Sequence, residues 1–230
     1  MAITRGPSIV RDGLSFYLDA KDPNSYTGSG TTWYDLCGNL DVTANGVTMS
    51  SSGMVFDGTD DYISELWPSA LNVDDNTTGR TWEVWVKPDA VGGTYGIFGH
   101  KVGVGCSYYC NGGIFLGSGY YRANWYDNSS YQWLAFSSAA TTSAAHVVAT
   151  VSSDSKMRIY VNGVLGATSS ASNFNYSSGM AVADIGYNSK SGGQHYFDGT
   201  IYSCQFYYGV ALSLTQIQQN YNTQKSRFGL

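Results

Sequence analysis

The sequence predicts an all-β fold, a single antiparallel β-sandwich closed by one short C-terminal helix. Three observations predict it. Short segments alternate apolar and polar residues at the two-residue period of a half-buried strand. Asx-Gly and Gly-rich turns separate those segments. The composition agrees, with 19 Tyr, 6 Trp and 28 Gly against 13% charged residues, a pattern of many strands and tight turns rather than of helices. The 230 residues, 43% of them hydrophobic, suffice for one large β-domain with a sizeable core.

The elements follow in order. Leu14, Phe16 and Leu18 alternate with Ser15, Tyr17 and Asp19 in a first strand. Asp22-Pro23-Asn24 and Gly28-Ser29-Gly30 make the next stretch a loop, which Trp33 and Leu36 pin to the body. Met54-Val55-Phe56 runs into a turn at Asp57-Gly58, and Tyr62-Ile63 begins another strand. Residues 81–87 form a strand ended by Pro88. Its faces are Trp82/Val84/Val86 and Glu83/Trp85, so both sides are at least partly covered. Residues 95–100 continue the sheet. The stretch 103–119 is Gly-rich and irregular apart from Ile114-Phe115-Leu116, and 120–133 is dense in aromatics. Residues 146–151 and 157–161 form an antiparallel pair bridged by Ser152-Ser153-Asp154-Ser155. Asn162-Gly163 then supplies the two positive-φ positions of a type I′ hairpin. Residues 168–178 read as a Ser- and Asn-rich loop, and 183–186 and 200–208 complete the strands.

The helix is signed at its start. Ser213 is the N-cap, Gln216 closes a capping box, and Leu212 and Ile217 stand at the positions of a hydrophobic staple. Leu214, Ile217 and Tyr221 are expected to line its buried face, and the helix to end near Lys225. The predicted organisation is an N-terminal arm over 1–12, one domain over 13–222 and a tail over 223–230.

Composition excludes some functions. A formal net charge of −5 and the absence of a basic patch argue against nucleic acid as a partner. No segment is apolar for long enough to insert in a membrane, and residues 1–12 carry two Arg but no apolar secretion-signal core. Of the four Cys, Cys106 and Cys110 are spaced like half a zinc site, but no second pair follows. They can bridge as a small disulfide or remain free thiols.

Five segments, in order, resemble the laminin-G-like, concanavalin A-like jelly-roll family. They are Gly13-Leu14-Ser15-Phe16-Tyr17-Leu18-Asp19-Ala20, Val55-Phe56-Asp57-Gly58-Thr59-Asp60-Asp61-Tyr62-Ile63, Thr81-Trp82-Glu83-Val84-Trp85-Val86-Lys87-Pro88, Arg158-Ile159-Tyr160-Val161-Asn162-Gly163-Val164, and Phe197-Asp198-Gly199-Thr200-Ile201 followed by the helix start. The resemblance spans 13–222 and implies a jelly-roll sandwich. The terminal segments 4–14 and 217–230 resemble those of single-domain laminin-G-like proteins of tailed bacteriophages. That resemblance implies a virion surface protein, a capsid decoration or fibre component, assembled in the host cytoplasm. Its partners would be other capsid or tail proteins, copies of itself and surface glycans.

Enzymes of this fold often carry alternating acids on one strand for glycoside hydrolysis, which needs two carboxylates flanking the bond. Here Glu83 is the only acid within 81–87 and Glu65 stands alone, so a non-enzymatic protein is expected and a glycoside hydrolase is the less favoured alternative. Of the three His, His146 lies in a strand pattern and reads as structural. No nucleophile elbow stands between a strand and a helix. Asp57, Asp60 and Asp61 crowd one turn, and acids near this turn bind calcium in related domains; calcium wants six to eight oxygens. The alternative is that Asp57 caps the turn while the other two are solvated. Asp74-Asp75-Asn76 is a second acidic loop. Sugar binding wants aromatic faces beside planar polar groups. The aromatics of 120–133 suit a glycan platform, strands with core aromatics, or a subunit interface. The candidate glycan residues are Tyr108, Tyr109, Arg122, Asn124, Trp125 and Tyr126. The expected function is a virion surface protein presenting a lectin-like sandwich, with a stand-alone carbohydrate-binding module as the alternative.

Overall fold

The computed structural model describes residues 8–68, 79–102, 112–126, 131–170, 181–190 and 193–230. Two eight-stranded antiparallel sheets pack into a jelly-roll sandwich, as the strand patterns predict. One sheet runs β14 (Val164–Thr168), β13 (Met157–Val161), β12 (Ala145–Val151), β7 (Gly79–Pro88), β18 (Asp198–Gly209), β5 (Gly53–Asp57) and β4 (Thr48–Ser50). Its spine is β18, whose second edge is shared. Residues 198–201 pair with β5, and residues 203–207 pair with β1 (Leu14–Asp19). The other sheet runs β11 (Tyr131–Ala135), β10 (Tyr120–Tyr126), β9 (Gly112–Gly117), β8 (Thr94–Val102), β15 (Ala181–Ile185), β6 (Tyr62–Leu66), β3 (Val42–Asn45) and β2 (Thr32–Trp33). A two-stranded ribbon joins β16 (Ser189–Lys190) to β17 (Gly193–Gln194).

The core lies between the sheets. Phe16, Trp33, Trp82, Phe98 and Phe206 are fully enclosed there. The Phe206 ring sits 5.4 Å from Trp67 and from Trp82 and 4.7 Å from His100, in edge-on and tilted arrangements that aromatic quadrupoles favour. The turns behave as their residues require. Asn162 and Gly163 have φ of 51° and 74° and close the β13–β14 hairpin. Gly186 has φ +69°, and a Cβ there would stand 2.2 Å from the Phe56 ring, so the position needs glycine twice over.

The outer face of the first sheet is covered by α1 (Leu214–Gln224), with Ser213 as N-cap and the capping box formed. Its buried face differs from the expected one. Leu214 is 43% exposed, and the buried positions are Ile217, Asn220 and Gln224. The reason is that the sheet beneath presents polar groups. Asn220 Nδ2 donates to Glu83 Oε2 (2.8 Å) and to the Tyr207 hydroxyl (2.9 Å), and Trp85 Nε1 donates to Gln224 Oε1 (2.8 Å). Both ends of the chain join this layer. Val10 N donates to Asn220 Oδ1 (2.8 Å), and the Phe228 ring packs 4.8 Å from Trp85. Arg227 binds both carboxylate oxygens of Asp19, at 2.8 and 3.1 Å. β7 is therefore buried on both faces, as its sequence predicts. Among the described residues no helix is long and apolar enough to cross a membrane.

Candidate functional site

The first sheet spends its outer face on the helix. The second sheet carries a cavity of about 260 Å³ over β8, β9, β10 and β11, lined by Thr94, Phe115, Gly117, Arg122, Asn124, Gln132 and Trp133. Strand alternation builds it. Tyr121, Ala123 and Trp125 point into the core, so Arg122 and Asn124 point to the outer face. Register chooses their neighbours. Arg122 stands opposite Phe115 and Ala135, and Asn124 stands opposite Gly113 and Trp133. Gly96 faces Phe115, and Gly117 faces Thr94, so missing side chains leave the depression.

Trp133 is 58% exposed, and the Arg122 guanidinium lies 4.3 Å from its ring centroid. This is a cation–π contact, and it holds a planar donor fork against a flat apolar surface. Gly117 makes room for it, because a Cβ at that position would stand 3.2 Å from Arg122 Cδ, Nε and Cζ. Desolvation pushes the Arg122 pKa down from its usual value, though a guanidinium remains a cation at any working pH. Its Nε is buried and meets no hydrogen-bond partner among the described residues. The chemistry on offer is ring stacking on Trp133, the Asn124 amide on the same face, and one positive charge.

Of the candidate glycan residues, Arg122 and Asn124 come together in this cavity. Trp125 does not. It is 4% exposed and belongs to the core, because neighbours on one strand cannot share a face. The side chain of Tyr126, together with Tyr108, Tyr109, the Cys106/Cys110 pair and the second acidic loop, lies outside the described residues. Trp133, Gln132, Phe115 and Thr94 were not among the candidates. Trp133 lies in the same aromatic stretch, and the pairing of β10 with β11 is what puts it beside Asn124.

Glu83, His146 and His100 hold the fold together rather than face the groove. Glu83 is fully buried under α1, with Oε1 2.7 Å from His146 Nε2 and Oε2 held by Asn220. His146 is structural, as expected. His100 accepts a hydrogen bond from Trp82 Nε1 (2.9 Å) at Nδ1. Burial, helped by the Arg80 charge, lowers its pKa to about 3, so it stays neutral in the core.

The acidic turn forms a third arrangement. Carboxylate oxygens of Asp57, Asp60 and Asp61 lie within 4.8 Å of one another. Asp57 Oδ1 accepts from the backbone of Thr59 (2.8 Å) and Asp60 (3.4 Å), and Asp61 Oδ2 accepts from Asp57 N (3.0 Å), so these acids also cap the turn. Burial, reinforced by the two neighbouring carboxylates, raises the Asp61 pKa. Three hard oxygen donors in one loop suit a calcium ion and would supply part of its shell.

Residues 57–218 match the Laminin_G_3 family, described as the concanavalin A-like lectin/glucanases superfamily. No curated protein matches the chain in sequence. Among solved structures, the chain is similar to a Trypanosoma rangeli sialidase in complex with 2,3-difluoro-KDN, with TM-score 0.71 and 18% identity over 98% of this chain and 36% of that one. It is also similar to the binding domain of botulinum neurotoxin serotype D, with TM-score 0.67 and 14% identity over 93% of this chain and 52% of that one. The chain thus spans about a third to a half of those chains, and at these identities the likeness is one of fold. The family match spans well over half of the sequence, and the chain belongs to the Laminin_G_3 family of the concanavalin A-like lectin/glucanase superfamily.

Proposed function

We propose that this protein is a non-enzymatic saccharide-binding module that works through the cavity on the outer face of the second sheet. The observation that carries the reading is Trp133, a large aromatic left 58% exposed beside Arg122 and Asn124. Sugar rings present apolar C–H faces and a rim of hydroxyls. An exposed indole flanked by an amide and a guanidinium complements both. The cavity, about 260 Å³, is close to the lower end of small-molecule sites, roughly 300 Å³, and suits a short saccharide. The superfamily supports a sugar ligand, and the burial of Glu83 supports binding without hydrolysis.

The setting we propose is the surface of a tailed-phage virion, where the module presents its groove and contacts capsid or tail proteins. This rests on the resemblance of the terminal segments. Co-sedimentation of the protein with purified particles tests it, and absence from particles refutes it. The groove itself is tested on an array of immobilised oligosaccharides. Saturable binding without release of reducing ends is expected, and Trp133→Ala abolishes it while leaving the melting temperature within about 2 °C, since the ring is largely solvated. An array silent for the wild type, or unaffected by Trp133→Ala, refutes the reading. We also propose calcium for the Asp57/Asp60/Asp61 turn. Added Ca²⁺ should then raise the melting temperature and EDTA reverse it, an effect that Asp60→Asn and Asp61→Asn weaken.

A further inference from the structure

Resting on the groove as the saccharide site, we propose that it selects sugars bearing a carboxylate, with Arg122 as the receptor for the acid group. Among the described residues the guanidinium has no counter-ion. Arg227 binds Asp19 through two contacts, and Arg158 binds Asp154, whereas Arg122 forms no ion pair and no hydrogen bond among the described residues. Its Nε is already shielded from water without being satisfied. A partly desolvated donor with no partner among the described residues is a group that gains from an incoming anion.

Geometry narrows the anion. Trp133 holds the guanidinium at 4.3 Å from its ring centroid, and the bare Gly117 beneath lets it lie flat. A planar fork held in this way matches a planar carboxylate through two parallel hydrogen bonds, and matches a tetrahedral sulfate less well. Asn124 lies on the same face of the cavity, across from Trp133, where it can meet the hydroxyls of the same sugar. The formal net charge of −5 gives the molecule no general attraction for acidic glycans, so the selection is local to this groove.

The test is an array holding neutral, sulfated and carboxylated oligosaccharides, among them oligogalacturonates and sialyllactose. Titration calorimetry then compares the strongest carboxylated binder with its own methyl ester, a matched sugar lacking only the charge. The acid is expected to bind at least about tenfold tighter than the ester, the scale of a charge-assisted hydrogen bond, and to weaken as salt is raised. Arg122→Gln should erase that ratio while melting like the wild type. Arg122→Lys should keep only part of it, because a point charge lacks the fork. Trp133→Ala should lose acid and ester alike. If the ester or a neutral sugar binds as tightly as the acid, if sulfated members bind as well as carboxylated ones, or if Arg122→Gln keeps the ratio, the carboxylate proposal is overturned while saccharide binding stands. If no member of any class binds, both fall together.

Discussion

Acid should destabilise this protein through one buried imidazole. His100 sits in the core beside Trp67, Phe98 and Phe206, with Nδ1 accepting from Trp82 Nε1. In the unfolded chain it takes up a proton near pH 6.5, but in the native state only near pH 3, because burial and the Arg80 charge oppose the imidazolium. Between those values the unfolded state binds the extra proton, so stability is fully present above pH 6.5 and is lost as pH falls toward 3. Going from about pH 7.5 to about pH 5 spans roughly 1.5 units below the unfolded pKa, which at about 1.4 kcal/mol per unit removes about 2 kcal/mol. For a domain of this size that is about 4–8 °C in melting temperature. The assay is urea unfolding of the wild type and His100→Gln at several pH values across this window. The Gln side chain can accept the Trp82 hydrogen bond but does not titrate, so its packing cost is a constant offset. The raised carboxyls of Asp61 and Asp198 act in the opposite sense and are common to both proteins. The variant should lose about 2 kcal/mol less than the wild type between the two pH values. Equal losses would refute the buried neutral imidazole.

Two further predictions concern the seams of the fold. Asn220→Ala leaves the buried Val10 N–H and the Glu83 carboxylate each short of a partner. It should cost about 3 kcal/mol or more in chemical unfolding and speed amide exchange at Val10; a loss under about 1 kcal/mol would mean that the helix is not held through this side chain. Gly186→Ala combines φ +69° with a Cβ 2.2 Å from the Phe56 ring, whereas Gly28→Ala has φ +89° and open space. The second should cost about 1 kcal/mol of backbone strain and the first at least about 2 kcal/mol more. Equal melting temperatures for the two variants would remove the close-approach argument.

The sequence by itself determined most of the local structure. Period-two alternation placed β1, β7 and β13, though not the short strands β2, β3 and β4; Asn162-Gly163 marked its hairpin, and Ser213 with Gln216 marked the helix start, because these signals act between residues near in the chain. It also indicated that both faces of β7 are covered. Local signals failed at two points, for the same reason. The periodicity of α1 nominated Leu214, whereas the helix seats Asn220 and Gln224 on polar groups of β7 and β18 that are more than a hundred residues distant for β7. The aromatic stretch nominated Trp125, which alternation turns into the core, while Trp133 reaches the groove only because β11 pairs with β10 in one register. The acidic turn was legible because its three carboxylates are neighbours in sequence. The groove was not, because its floor comes from glycines on two strands and its lining from residues on four, brought together by the register of one sheet.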